Sequence, residues 1–144
     1  MDLNQYLNEI LVALFQNIMD IEEKALITEE FKDITINDMH VIEAVGVEEP
    51  RTMSTVAGTL SVTVGTLTTA INGLVNKGYV ERLSSKKDRR VVLLTLTERG
   101  VKAYNHHMDF HDHMIQSILS ELDQEERVVL STTLLKLEKY LKEL

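Results

Sequence analysis

The hydrophobic pattern of this chain is helical along most of its length, and residues 79–96 break it. There, Tyr79-Val80-Glu81-Arg82-Leu83 and Arg90-Val91-Val92-Leu93-Leu94-Thr95-Leu96 read as strands. The polar run Ser84-Ser85-Lys86-Lys87-Asp88-Arg89 between them reads as a turn. An isolated two-stranded hairpin is at best marginal in water, so this one must seat against the helices around it. The fold class expected is mainly α with a small β-hairpin wing.

The flanking segments supply those helices. From residue 3 to about residue 28, Leu7, Ile10, Leu11, Leu14, Ile18 and Ile21 form an apolar stripe that Val12 and Phe15 widen. Such a stripe reads first as a core helix, and so broad a face also suits a helix shared between a core and a subunit interface. After the connection Phe31-Lys32-Asp33-Ile34, Thr35 or Asn37 caps a helix whose apolar residues Met39, Val41, Ile42 and Val45 end at Gly46. Pro50 seals the break, and Thr52 opens a short helix from Met53 to Leu60. Thr63 caps the next, from Val64 to about Lys77, with Leu67, Ala70, Ile71 and Leu74 buried and Gly78 as the stop. Thr97 and Asp123 cap two long C-terminal helices, the first running to about Leu119 and the second carrying Val128, Val129, Leu134, Leu137 and Leu141. This order is a winged helix-turn-helix between helical arms. Residues 1–144 read as a single domain, with 35–97 as the DNA-binding lobe and 1–34 and 98–144 as a helical dimerisation region.

The chain has 144 residues, one proline and no cysteine, which excludes disulfides and thiolate metal sites. The N-terminal MDLNQYLNEI has neither a basic segment nor an apolar run of membrane length, so a cytoplasmic location is expected. There is no phosphate loop, dinucleotide fingerprint, zinc-protease motif or nucleophile elbow. Pairs such as Glu22-Glu23 and Glu125-Glu126 read as solvated helix faces. No enzyme activity and no cofactor are expected.

Charge points instead to polyphosphate. Between Arg51 and Lys102 there are nine Lys/Arg and three Asp/Glu, a net of +6 inside a chain whose total is -8. Within this island the Val64 helix projects Thr66, Thr69, Asn72, Gly73 and Asn76 away from its apolar stripe, with Thr63, Gly65 and Thr68 near its start or flank. Such a small, hydroxyl-rich surface can enter a major groove and set threonine methyls against thymine methyls. It has no cation before Lys77, so modest direct readout and a preference for A/T-rich sites are expected. The plainer alternative is a helix exposing capping and filler residues. At the hairpin tip, Lys86 and Lys87 are assigned to phosphate, as are Lys77, Arg82 and Arg51. Arg89 is assigned to the minor groove, where narrow A/T tracts attract guanidinium groups. Asp88 is assigned to holding the turn with Arg90. A dimer would place two recognition helices about 34–36 Å apart on a palindrome.

His107 and His111 lie one helical turn apart, with Asp109, Asp112, His106 and His113 nearby, but two histidines make no metal site without a third ligand from elsewhere. They are read as surface, hinge or pocket residues, and no metal is assigned. Met19, Leu26, Phe31, Met39, Ile42, Met108 and Phe110 are the candidates to line a greasy cavity for a long hydrophobic ligand, core packing being the competing role.

The run from Met53 to Gly100 resembles the core of the MarR family of winged-helix regulators. Leu60 to Leu74, Lys77-Gly78-Tyr79-Val80-Glu81-Arg82 and the stretch from Asp88-Arg89-Arg90 to Leu96-Thr97-Glu98-Arg99-Gly100 carry the resemblance. Within the family the chain is similar to the FabT-type repressors of fatty-acid synthesis genes in Gram-positive bacteria. The fragments are Phe31-Lys32-Asp33-Ile34 with Met39-His40, Thr63-Val64-Gly65-Thr66-Leu67-Thr68-Thr69, Lys77-Gly78-Tyr79 and Phe110-His111. The resemblance implies a homodimeric transcriptional repressor on double-stranded operator DNA, with long-chain acyl-acyl carrier protein as corepressor. It also implies that Thr66, Thr68, Thr69 and Asn72 face DNA, that Arg89 is the minor-groove arginine, and that Asp88 and Arg90 support the wing. Val47-Glu48-Glu49-Pro50 departs from the family pattern near the entrance of the motif. The alternatives are a MarR-type repressor answering to a small aromatic ligand or metal, and a helical scaffold that binds no DNA.

Overall fold

The computed structural model describes residues 2–26, 28 and 30–144. Their elements are α1 (Leu3–Leu26), α2 (Ile36–Val45), β1 (Arg51–Thr52), α3 (Met53–Leu60), α4 (Val64–Asn76), β2 (Val80–Ser84), β3 (Val92–Leu96), α5 (Glu98–Ser120) and α6 (Gln124–Lys142). The helix expected to run to about residue 28 ends at Leu26, and residue 27 lies outside the described residues. Helices start where short polar side chains replace missing backbone partners. Thr35 is the residue that caps α2: its hydroxyl accepts from Asp38 N at 3.1 Å while Asp38 Oδ2 accepts from Thr35 N at 3.1 Å. Asp123 and Glu126 cap α6 in the same reciprocal way, while the Thr52 and Thr63 hydroxyls each accept one backbone N–H at the starts of α3 and α4.

Two compact units result, Met1–Met108 and Asp109–Leu144. The sequence grouping of residues 1–34 with 98–144 differs from this division. Leu26, Phe31 and Ile34 are buried in the same core as Met39, Ile42, Leu67, Ile71 and Leu94, which ties the end of α1 to the first unit. Apolar burial of this kind drives the association of the elements.

In the first unit the sheet has three strands in the order β1-β3-β2, all antiparallel. The two-residue β1 was not expected; it pairs Arg51 with Leu94 and Thr52 with Leu93. Tyr79, read as the start of a strand, is instead fully buried ahead of β2. Gly78 (φ 83°) makes the turn from α4 into β2. Gly100 lets α5 pack tightly on that turn, since a Cβ there would lie 2.1 Å from the Tyr79 carbonyl oxygen.

In the second unit, the Asp123–Glu126 capping box starts α6. The Arg127 guanidinium donates to the carbonyls of Leu119 and Leu122, satisfying groups that the end of α5 leaves open. Val129, Leu134 and Leu141 on α6 are more than half exposed. In the first unit, Leu11, Leu14 and Phe15 on α1 are too.

Candidate nucleic-acid interface

Helices α3 and α4 meet at 105°, within the range of helix-turn-helix motifs. The bend is made at Ser61, whose left-handed backbone (φ 55°) ends α3. Val62 N then donates back to the Ala57 carbonyl at 3.0 Å. Leu67, Ile71 and Leu74 of α4 turn inward and are buried. Thr63, Thr66, Thr69 and Asn72 are exposed and Thr68 is partly so.

The hydroxyl protons on this helix are largely spent at home. Thr68 Oγ1 donates to the Val64 carbonyl at 2.8 Å, Thr69 Oγ1 to the Gly65 carbonyl at 3.5 Å, and Thr63 Oγ1 to Thr66 Oγ1 at 3.0 Å. What these threonines offer outward is methyl groups and acceptor lone pairs. That suits thymine methyls and the exocyclic amines of adenine and cytosine better than acceptor-rich guanine edges.

Arg82, on β2, donates to the Asn72 side-chain carbonyl. The side chain assigned to phosphate thus holds a recognition-helix amide, and Asn72 keeps its NH2 group for a base. Arg51, also assigned to phosphate, is half-buried and donates to the Ala44 carbonyl at 3.0 Å. Lys77 Nζ lies 3.4 Å from Asp38 Oδ2 at the exposed end of α4.

At the wing tip, Asp88 accepts from Arg90 three times, at 3.0 Å from its backbone N–H, 3.1 Å from Nε and 3.3 Å from Nη2. The Arg90 side-chain and backbone bonds hold the Asp88 carboxyl below the usual carboxylate range. Lys86, Lys87 and Arg89 are exposed, and their side chains have no partner among the described residues. One arginine therefore braces the turn while the next stays available.

A clamp not legible in the sequence fixes the junction of α4 and the wing. The Tyr79 hydroxyl donates to Asp33 Oδ1 at 2.6 Å, and Arg99 Nη2 donates to the same oxygen at 3.1 Å. Arg99 also donates to the Lys77 carbonyl at 2.7 Å and lies 4.3 Å over the Tyr79 ring, while Thr97 Oγ1 donates to the Gly78 carbonyl at 2.6 Å. Burial and the Asp33 bond push the Tyr79 hydroxyl well above its ordinary range. Burial raises the Asp33 carboxyl, but Tyr79 and Arg99 together outweigh it and leave it lowered.

Leu26, Phe31, Met39 and Ile42 are buried in the first unit's core, and Met19 and Met108 are partly buried. Phe110, in the second unit, is partly buried with its ring 5.5 Å from that of His111. His106 Nε2 lies 2.8 Å from the Ala25 carbonyl, and His113 Nδ1 lies 2.7 Å from the Asp109 carbonyl. His107 is buried against two carboxylates, Glu22 and Glu43, from elements whose meeting no local spacing encodes.

The model of the MarR family matches residues 32–91. A solved structure of Streptococcus pneumoniae FabT in complex with DNA is 41% identical, with a TM-score of 0.92, over 97% of this chain and 98% of that one. The chain belongs to the MarR family. Among curated relatives, the HTH-type transcriptional regulator SarZ of Staphylococcus haemolyticus is 30% identical over 65% of this chain and 64% of its own. The regulator BilQ of Clostridium symbiosum is 38% identical over 49% of each chain. These alignments span between about half and two-thirds of those relatives. No single helix among the described residues of this family member is long and apolar enough to cross a membrane.

Proposed function

We propose that this MarR-family chain is a cytoplasmic, sequence-specific transcriptional repressor of fatty-acid synthesis genes. It binds a palindromic double-stranded operator as a homodimer, with long-chain acyl-acyl carrier protein as corepressor. The observation that carries the reading is the near full-length likeness to S. pneumoniae FabT held on DNA. The α3–α4 pair, with its neutral outer face and the unpaired cations of the wing, supports DNA as the partner. Apolar residues exposed on α1 and on α6 support the homodimer, since monomers rarely leave such stripes open to water. In this reading an acyl chain enters the first unit by displacing packing around Met19, Leu26, Phe31, Met39, Ile42 and Met108.

The experiment is a titration of a labelled operator duplex from a fatty-acid synthesis promoter, at several salt concentrations. It is run with long-chain acyl-acyl carrier protein and with the unacylated carrier. Salt-dependent binding that the acylated carrier tightens is expected. Equal affinity with both carriers removes the corepressor; no salt-dependent duplex binding removes the repressor reading itself. In sedimentation, Phe15→Glu on α1 is expected to shift dimer toward monomer.

A further inference from the structure

The amide of Asn72 has one orientation, and the chemistry of its partner fixes it. Arg82 carries only donors, so the Asn72 atom that meets its Nη2 is the side-chain oxygen, and the NH2 group is turned away. Both backbones are held firmly. Asn72 stands on the exposed face of α4, one turn beyond Thr68. Arg82 sits in the middle of β2, paired with the buried Leu94 of the central strand β3. The turn between α4 and β2 is closed by a bond of 2.9 Å from Tyr79 N to the Leu74 carbonyl. We propose that Asn72 reads the keto group of a base, thymine O4 or guanine O6, and that Arg82 is the residue that sets this choice.

An unconstrained asparagine favours a different base. It pairs with adenine through both ends of the amide, its oxygen accepting from N6 and its NH2 donating to N7. Here the oxygen is already engaged by a cation. A charge-assisted bond of that kind is stronger than a neutral one, and the guanidinium repels the positively polarised amino group of adenine or cytosine. It attracts an electron-rich keto oxygen, to which the free NH2 donates. Bonds earlier on the helix sharpen the contrast. Thr68 and Thr69 spend their hydroxyl protons on the carbonyls of Val64 and Gly65, so they turn acceptors outward. The outer face of α4 therefore changes from accepting to donating at Asn72.

The proposal rests on α4 facing the major groove of DNA, but on neither the regulated genes nor the acyl carrier. Its test starts from duplexes of random sequence. Full-length parent, Asn72→Ala, Asn72→Asp and Arg82→Ala each go through selection, and base preferences are compared position by position. A ratio of bases within one selection does not depend on how much of a variant is folded, and the bond between the two side chains is exposed. The parent is expected to enrich one sequence, and Asn72→Ala to level one position of each half-site. At that position the parent is expected to favour thymine or guanine over the amino bases by roughly tenfold. Asn72→Asp keeps one oxygen for Arg82 and presents another in place of the NH2, so its preference is expected to turn to adenine or cytosine. Arg82→Ala frees the amide and is expected to admit adenine.

Modified bases separate the two sources of the keto group. If the parent selects thymine, uracil is expected to keep the preference and 5-methylcytosine to lose it, since the first retains the keto group and the second only the methyl. If it selects guanine, 2-aminopurine, which lacks O6, is expected to bind poorly. Adenine favoured by the parent, no position changed by Asn72→Ala, a keto preference surviving whole in Asn72→Asp or Arg82→Ala, or full binding with 5-methylcytosine or 2-aminopurine each overturns the proposal and leaves DNA binding standing. No enriched sequence for the parent removes sequence-specific DNA binding and the proposal with it.

Discussion

Arg82 donates to the side-chain carbonyl of Asn72, so the first strand of the wing holds an amide of the recognition helix in place. The bond settles which end of that amide is free: its NH2 faces outward and its oxygen is taken. This makes Arg82 an orienting residue in the free protein.

Arg82→Ala is therefore expected to lower operator affinity by about 1 kcal/mol, through loss of that orientation. The slope of log affinity against log salt is expected to stay unchanged. Lys86→Ala and Lys87→Ala, which remove unpaired cations, are expected to reduce the slope by about 0.9 each. Fluorescence anisotropy across a salt series separates the two behaviours. A slope change for Arg82→Ala equal to that for Lys86→Ala would place Arg82 on phosphate instead.

Arg89 has no side-chain partner among the described residues, whereas Arg90 beside it is bound to Asp88. Arg89→Ala is expected to weaken operator binding about tenfold, in line with the loss of one good groove contact, and to leave the urea midpoint within error. Arg90→Ala is expected to disturb the wing turn. Unchanged operator affinity for Arg89→Ala would remove it from the groove.

Tyr79→Phe deletes the 2.6 Å bond to Asp33 without opening a cavity. A loss of about 1 kcal/mol in urea unfolding is expected, and the pH profile should change in a definite direction. Tyr79 is raised in the folded state, so its contribution is complete below the unfolded value of about 10 and fades as pH climbs above it. Asp33 is lowered, so its contribution is present above about 4 and fades on acidification. Stability measured from pH 9 to 11 is expected to fall less in Tyr79→Phe than in the parent; parallel alkaline limbs would contradict the assignment.

Gly100→Ala places a Cβ 2.1 Å from the Tyr79 carbonyl oxygen and 3.1 Å from Leu96 Cβ. Both are fixed, the first being backbone, so α5 has to move. Alanine favours a helix over glycine by up to about 1 kcal/mol, and overpacking costs about 1–3 kcal/mol. A net destabilisation is expected in urea unfolding. A variant more stable than the parent would show that α5 can shift freely over the turn.

The sequence by itself determined the elements and their order. Caps at Thr35, Thr52, Thr63 and Asp123, stops at Gly46 and Gly78, and the change of hydrophobic pattern at residue 79 depend on neighbours a few residues away, so they stand in the sequence as written. The neutral character of α4 and the charge of the wing were legible for the same reason. Tertiary structure alone decided what joins at long separation. It paired β1 with β3, turned Arg82 toward Asn72, and closed the Tyr79–Asp33–Arg99 clamp. It also set Glu22, His40 and Glu43 around His107, whose helix begins more than fifty residues beyond α2. No local spacing encodes such meetings, because they arise only when separate apolar stripes are buried against one another and carry their polar neighbours with them.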